Sequence, residues 1–136
     1  MTLEFTTELY WLTLVAILTG LLWVPYIMQL AVQLGPIGAM WDPTGAHPHD
    51  QEWALRAKRA HYNAIENLAV FAPLTLMVVA TGAVSGLTAG AAVVYFWARL
   101  VQYVVHVMAV PVVRTVAFLV GVGCQAVMAL ALLGFG

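Results

Sequence analysis

The sequence predicts an all-α integral membrane protein, a bundle of four transmembrane helices. Hydrophobic residues make up 63% of its 136 positions and mean hydropathy is +0.93; ordinary soluble domains carry roughly 45–50%. A soluble domain of this length has too little interior to hide that much apolar surface. The apolar residues also fall into four runs, each near the ~20 residues that a bilayer-spanning helix requires.

The first span is read over residues 8–33: no charged residue occurs from Leu9 to Met40, and Pro25 marks a kink. Its approach carries Glu4 and Glu8 but no Lys or Arg, unlike the basic start of a cleaved signal peptide, so the run is taken as a retained helix. Residues 35–50, GPIGAMWDPTGAHPHD, have the Gly, Pro and Asp content of a loop. The second span covers 52–81, beginning in polar turns and becoming apolar. A short connection with Gly82, Ser85 and Gly86 precedes the third span, 88–108. Pro111 breaks the chain before the fourth, 113–133. No internal repeat or linker divides the chain, so residues 1–136 are read as one domain.

Net charge is −1 with a pI near 6.4, which excludes the basic footprint of a nucleic-acid binder. The lone Cys124 excludes an intrachain disulfide and, on an apolar helix, reads as inert. Arg56, Lys58, Arg59 and Arg114 flank the first and third connections, whereas the termini side has no Lys or Arg near a helix end. Positive charge favours the cytoplasmic face, so both termini are expected away from the cytoplasm.

Polar residues are concentrated in RAKRAHYNAIEN, residues 56–67. At 100° per residue, Glu52, Arg56, Arg59, Asn63, Glu66 and Asn67 share one helix face, while Lys58, His61 and Tyr62 point elsewhere. Tyr95, Arg99, Gln102, Tyr103 and His106 form a stripe on the third helix, and Arg114 opens the fourth. A charge at the bilayer centre costs at least ~2.5–3.5 kcal/mol, so such residues face the bundle and find partners. Spacing alone leaves two readings level. The stripes are interhelical glue, with Arg59 or Arg99 neutralising Glu66 and the Asn residues bonding across helices. Alternatively, four Arg against only Glu66 and Glu52 form a wall for an anion, and bidentate guanidinium suits a carboxylate.

RAKRAHYNAIEN resembles the second-helix signature of the MAPEG superfamily, the membrane-associated proteins of eicosanoid and glutathione metabolism. RLVQYVVHVMAVPVVRTVAF, residues 99–118, is similar to its third-to-fourth helix passage. The resemblance spans nearly the whole chain and is to a bacterial-type microsomal glutathione transferase-like member, which implies a bacterial inner membrane. It implies a homotrimer that binds glutathione as co-substrate between subunits and transfers it to lipophilic electrophiles, or reduces hydroperoxides, reached through the lipid bilayer. By that pattern Arg59 and Asn63 contact the peptide, Glu66 holds its amino group, and Arg56 assists with a carboxylate. Arg99 and Tyr103 line the neighbouring wall, and catalytic Arg114 stabilises the thiolate. The chain departs from the pattern at Gln29 and Gln33, where basic residues are common, at Asn67, and at His106, which stands where many members have Tyr. These changes argue against leukotriene synthesis.

Two rivals remain at this level: a non-catalytic structural or accessory subunit of the same fold, and a small transporter. The second is disfavoured because the polar groups gather at one end and no inverted repeat is visible. A lone membrane histidine such as His106 most simply donates an interhelical hydrogen bond, though it could also tune a thiol. His47, His49 and Asp50 are too few for an expected metal site.

Overall fold

A computed structural model describes residues 4–41 and 48–134, and every regular element within them is helical. The elements are α1 (Thr7–Leu21), α2 (Val24–Leu34), α3 (Pro36–Met40), α4 (Glu52–Ala80), α5 (Gly86–Val107) and α6 (Pro111–Leu132). Four segments are long and apolar enough to cross a membrane: Thr7–Leu34, Glu52–Ala80, Gly86–Val107 and Pro111–Leu132.

Local chemistry explains most boundaries. The Thr6 hydroxyl accepts from the Leu9 N–H at 3.3 Å and caps α1. A proline ring clashes with the carbonyl four residues back and supplies no N–H. The first span accordingly breaks at Leu22–Trp23, and Pro25 sits in the opening turn of α2. Gly35, at φ 80°, turns the chain into α3. That short helix lies inside what the sequence suggested was a continuous loop, a correction; Pro36 in its first turn supplies the fixed φ that starts it. Ser85 and Thr88 form a reciprocal capping box at the head of α5. Pro73 lies within α4, which continues across it.

The main core joins α1, α4, α5 and α6 through Leu12, Val15, Phe71, Val78, Tyr95 and Met128, all buried. Phe71 and Tyr95 stack face to face with ring centroids 3.7 Å apart. Cys124 is buried in this core. α6 packs chiefly on α5. Near the other end of α5 from the basic residues, Glu8 is only 3% exposed and accepts from the Thr88 hydroxyl at 2.8 Å. A smaller core of Tyr26, Ala54 and Ala57, covered by Tyr103 and Val107, closes the basic end. Alanines at 54, 57, 60 and 64 let α4 approach its neighbours closely along that stretch.

Candidate functional site

The start of α4, the end of α5 and the start of α6 meet at one end of the bundle. Arg56 ties α4 to α5: its Nε donates to the Val107 carbonyl at 2.9 Å, and its Nη1 lies 3.8 Å from Glu52. The latter is the only ion pair among the described residues. Glu66 therefore has no cationic partner there, and the pairing with Arg59 or Arg99 considered from spacing is not made. Arg59 and Glu66 are exposed, whereas Asn63 and Asn67 are half-buried. The α4 stripe thus straddles the bundle's edge, because its residues span a wider arc than one neighbouring helix can cover.

Asn63 is the hub. Its Oδ1 accepts from Gln102 Nε2 at 2.9 Å, from Asn67 Nδ2 at 3.2 Å and from Arg99 Nη1 at 3.5 Å. Asn67 in turn accepts from Gln125 of α6 through its carbonyl at 3.1 Å. Periodicity had found Asn63 and Asn67, but Gln125 was missed as a functional neighbour; its place among apolar α6 residues was the available signal.

Arg99 is 4% exposed. Its guanidinium lies 5.3 Å from the Tyr95 ring centre and 5.9 Å from that of Phe118, and Nη2 reaches the Phe118 carbonyl at 3.5 Å. Gly121 makes this possible: a Cβ there would collide with Arg99 Nη2. Nε of Arg99 has no hydrogen-bond partner among the described residues. The aromatic faces supply a cation–π environment in place of a carboxylate. Tyr103 donates to the Leu22 carbonyl at 3.4 Å, which bridges α5 to the break in the first span.

Arg114 lines a cavity of about 240 Å³ with Asn63, Gln102, His106, Thr115 and Phe118. Its guanidinium has no hydrogen bond or ion pair among the described residues. Gln102 Oε1 and His106 Nδ1 are buried without partners as well. The interhelical hydrogen bond expected of His106 is therefore not formed among the described residues, and that reading is corrected: the ring lines a cavity with Arg114 of the next helix and makes no bond across it. His106 and Arg114 are brought together by the turn between α5 and α6. Val110 N–H bonds the Val105 carbonyl at 2.9 Å and Ala109 N–H bonds that of His106 at 3.1 Å, a Schellman closure with Ala109 at φ 60°.

A second polar cluster stands beside this site. Tyr26 Oη and His61 Nδ1 are 2.8 Å apart, both residues buried. Gln29 holds His49 at 2.6 Å and Asp50 at 2.7 Å, and Gln33 bonds the Pro48 carbonyl and the Asp50 N–H. His61 thus turns inward against Tyr26, although the sequence reading set it apart from the stripe that faces the bundle. No three of His, Cys, Asp and Glu converge among the described residues; His47 lies outside them.

Taken together, these features define a multi-pass membrane bundle with a cation-rich polar centre at one end. Residues 8–134 match the family model of the MAPEG family, and the chain belongs to that family, which includes glutathione transferases and related membrane proteins. Comparison with curated proteins and with solved structures finds no match.

Proposed function

We propose that this protein is a membrane-bound glutathione-binding enzyme, a transferase or peroxidase acting on lipophilic electrophiles or hydroperoxides. The observation that carries the reading is the Arg114 guanidinium, without a partner among the described residues, in a cavity shared with Asn63, Gln102 and His106. Glutathione has two carboxylates, one ammonium and a thiol. A cation beside a thiol lowers its pKa and so produces the nucleophilic thiolate. Arg114 stabilises that thiolate, Arg56 and Arg59 meet the carboxylates, Glu66 receives the ammonium, and Asn63 bonds the peptide. Arg99 and Tyr103 form the adjoining wall.

Exposure of Arg59 and Glu66 on a single chain supports a ligand held between subunits of a homotrimer, where a neighbour covers that face. On this reading the basic end faces the cytoplasm, as the positive-inside rule favours, in a bacterial inner membrane. A non-catalytic, structural role is the second reading, favoured by the hydrogen bonds that already knit α4 to α5 and α6 through Asn63 and Asn67.

Ultraviolet titration of the purified protein with glutathione separates the two. The bound thiol should ionise about one pH unit or more below its free value, and Arg114→Ala should abolish that shift while the protein stays folded. Folded protein that binds no glutathione would leave the structural reading.

A further inference from the structure

Gln102 and His106 line the cavity between α4, α5 and α6, and Gln102 Oε1 and His106 Nδ1 are buried with no partner among the described residues. Gln102 is only 6% exposed, and its amide nitrogen is fixed by Asn63 at 2.9 Å. Its carbonyl oxygen is therefore directed as an acceptor. His106 differs in kind, because an imidazole nitrogen can take a proton outright. The charged groups that act on it are Arg56 and Arg59 of α4 and Arg114 of α6, and no carboxylate pairs with it among the described residues. Buried polar atoms are normally satisfied, so these two acceptors, beside the Arg114 guanidinium in one small cavity, describe a ligand that donates protons and carries negative charge.

Resting on the glutathione reading above, we propose that this cavity receives the ligand's sulfur and that His106, through Nδ1, accepts the thiol proton. In that step the S–H bond breaks and an N–H bond forms at Nδ1. The electron pair stays on sulfur, and Arg114 stabilises the resulting thiolate. For this step the neutral imidazole carries its hydrogen on Nε2, which leaves the Nδ1 lone pair as the acceptor. Gln102 Oε1 accepts a peptide N–H of the ligand and keeps the sulfur from turning away. Anionic ligand is what makes the imidazolium tolerable beside three guanidinium groups. Arg114 by itself would produce the same thiolate, but the proton would leave for solvent.

That difference is measurable. In weakly buffered detergent solution near pH 7, glutathione binding is followed by thiolate absorbance and by an indicator dye, with S-methylglutathione as the thiol-free reference. The wild-type protein should form thiolate with little net proton release. His106→Gln should release about one proton for each thiolate it still forms, since mass balance then leaves only solvent as acceptor. Release of one proton per thiolate by the wild type overturns the assignment without needing the variant. So does a His106→Gln protein that forms thiolate and retains the proton. Glutathione binding without any thiolate overturns this inference yet leaves glutathione binding standing. Failure of folded wild-type protein to bind glutathione removes both.

Discussion

Two polar clusters lie at the same end of this bundle, and they are finished differently. Around Tyr26, His61, Gln29, Gln33, His49 and Asp50, short hydrogen bonds join α2 to α4 and to the chain entering α4. Around Asn63, Arg99, Gln102, His106 and Arg114, one well-formed interhelical bond is surrounded by weak ones and by buried atoms with none. A polar group buried in a low-dielectric setting without a partner costs more than a made bond returns. The first cluster therefore fastens the fold. The second carries an energetic cost, which the proposed ligand would offset.

The comparison can be broken most forcefully at Gly121. Arg99 occupies the space where a side chain would stand, so Gly121→Leu should lower stability by about 3 kcal/mol through overpacking. Thermal melting in detergent reads this directly. An unchanged midpoint would mean that the guanidinium is not wedged against α6. Tyr26→Phe tests the finished cluster next. It leaves His61 Nδ1 buried without its 2.8 Å partner, and a loss of about 1 kcal/mol is expected, with glutathione affinity unaltered. A fall in affinity instead would merge the two clusters into one site.

Gln102→Leu sharpens the contrast because its two effects have opposite character. The substitution removes the partnerless Oε1 along with the bond to Asn63, whose Oδ1 keeps Asn67 and Arg99 as donors. Stability should move by no more than about 0.6 kcal/mol, the usual worth of such a bond between membrane helices. Glutathione should bind roughly tenfold more weakly, equivalent to ~1.4 kcal/mol. Calorimetric titration beside a melting curve distinguishes this from Tyr26→Phe, which should show the reverse pattern.

Much of this was legible in the sequence for a physical reason. Bilayer length and hydropathy define the spans, and the 3.6-residue period places Asn63 and Asn67 on one stripe and Arg99 and Gln102 on another. Periodicity reports which residues share a face, but not how far the neighbouring helix extends over it. Hence Arg59 and Glu66 were grouped with Asn63, though only Asn63 turns out half-buried. Pairings across helices, such as Tyr26 with His61, depend on the offset between elements, which no local pattern encodes. Gly121 looked like an ordinary small residue of an apolar helix until Arg99 was found against it. His106 was read by the commonest habit of membrane histidines, and the missing partner could be seen only in three dimensions.

The smallest effect concerns the turn that brings His106 to Arg114. The turn after α4 has the same Schellman closure, with Gly82 at φ 75° and bonds from Gly82 to Val79 and from Ala83 to Val78. There the left-handed position is held by glycine; after α5 it is held by Ala109 at φ 60°. A left-handed conformation costs a non-glycine residue about 1–2 kcal/mol. Glycine removes that strain but adds back about 0.5–1 kcal/mol through a more flexible unfolded chain. Ala109→Gly should therefore stabilise the protein by only about 0.5 kcal/mol, seen as a slightly higher melting midpoint. If the stiffer alanine serves to fix His106 against Arg114, the same variant should weaken thiolate formation despite its greater stability. The strain would then belong with the unfinished cluster, as a cost of positioning. Thiolate formation equal to wild type would make Ala109 a tolerated imperfection and confine the functional geometry to the helices themselves.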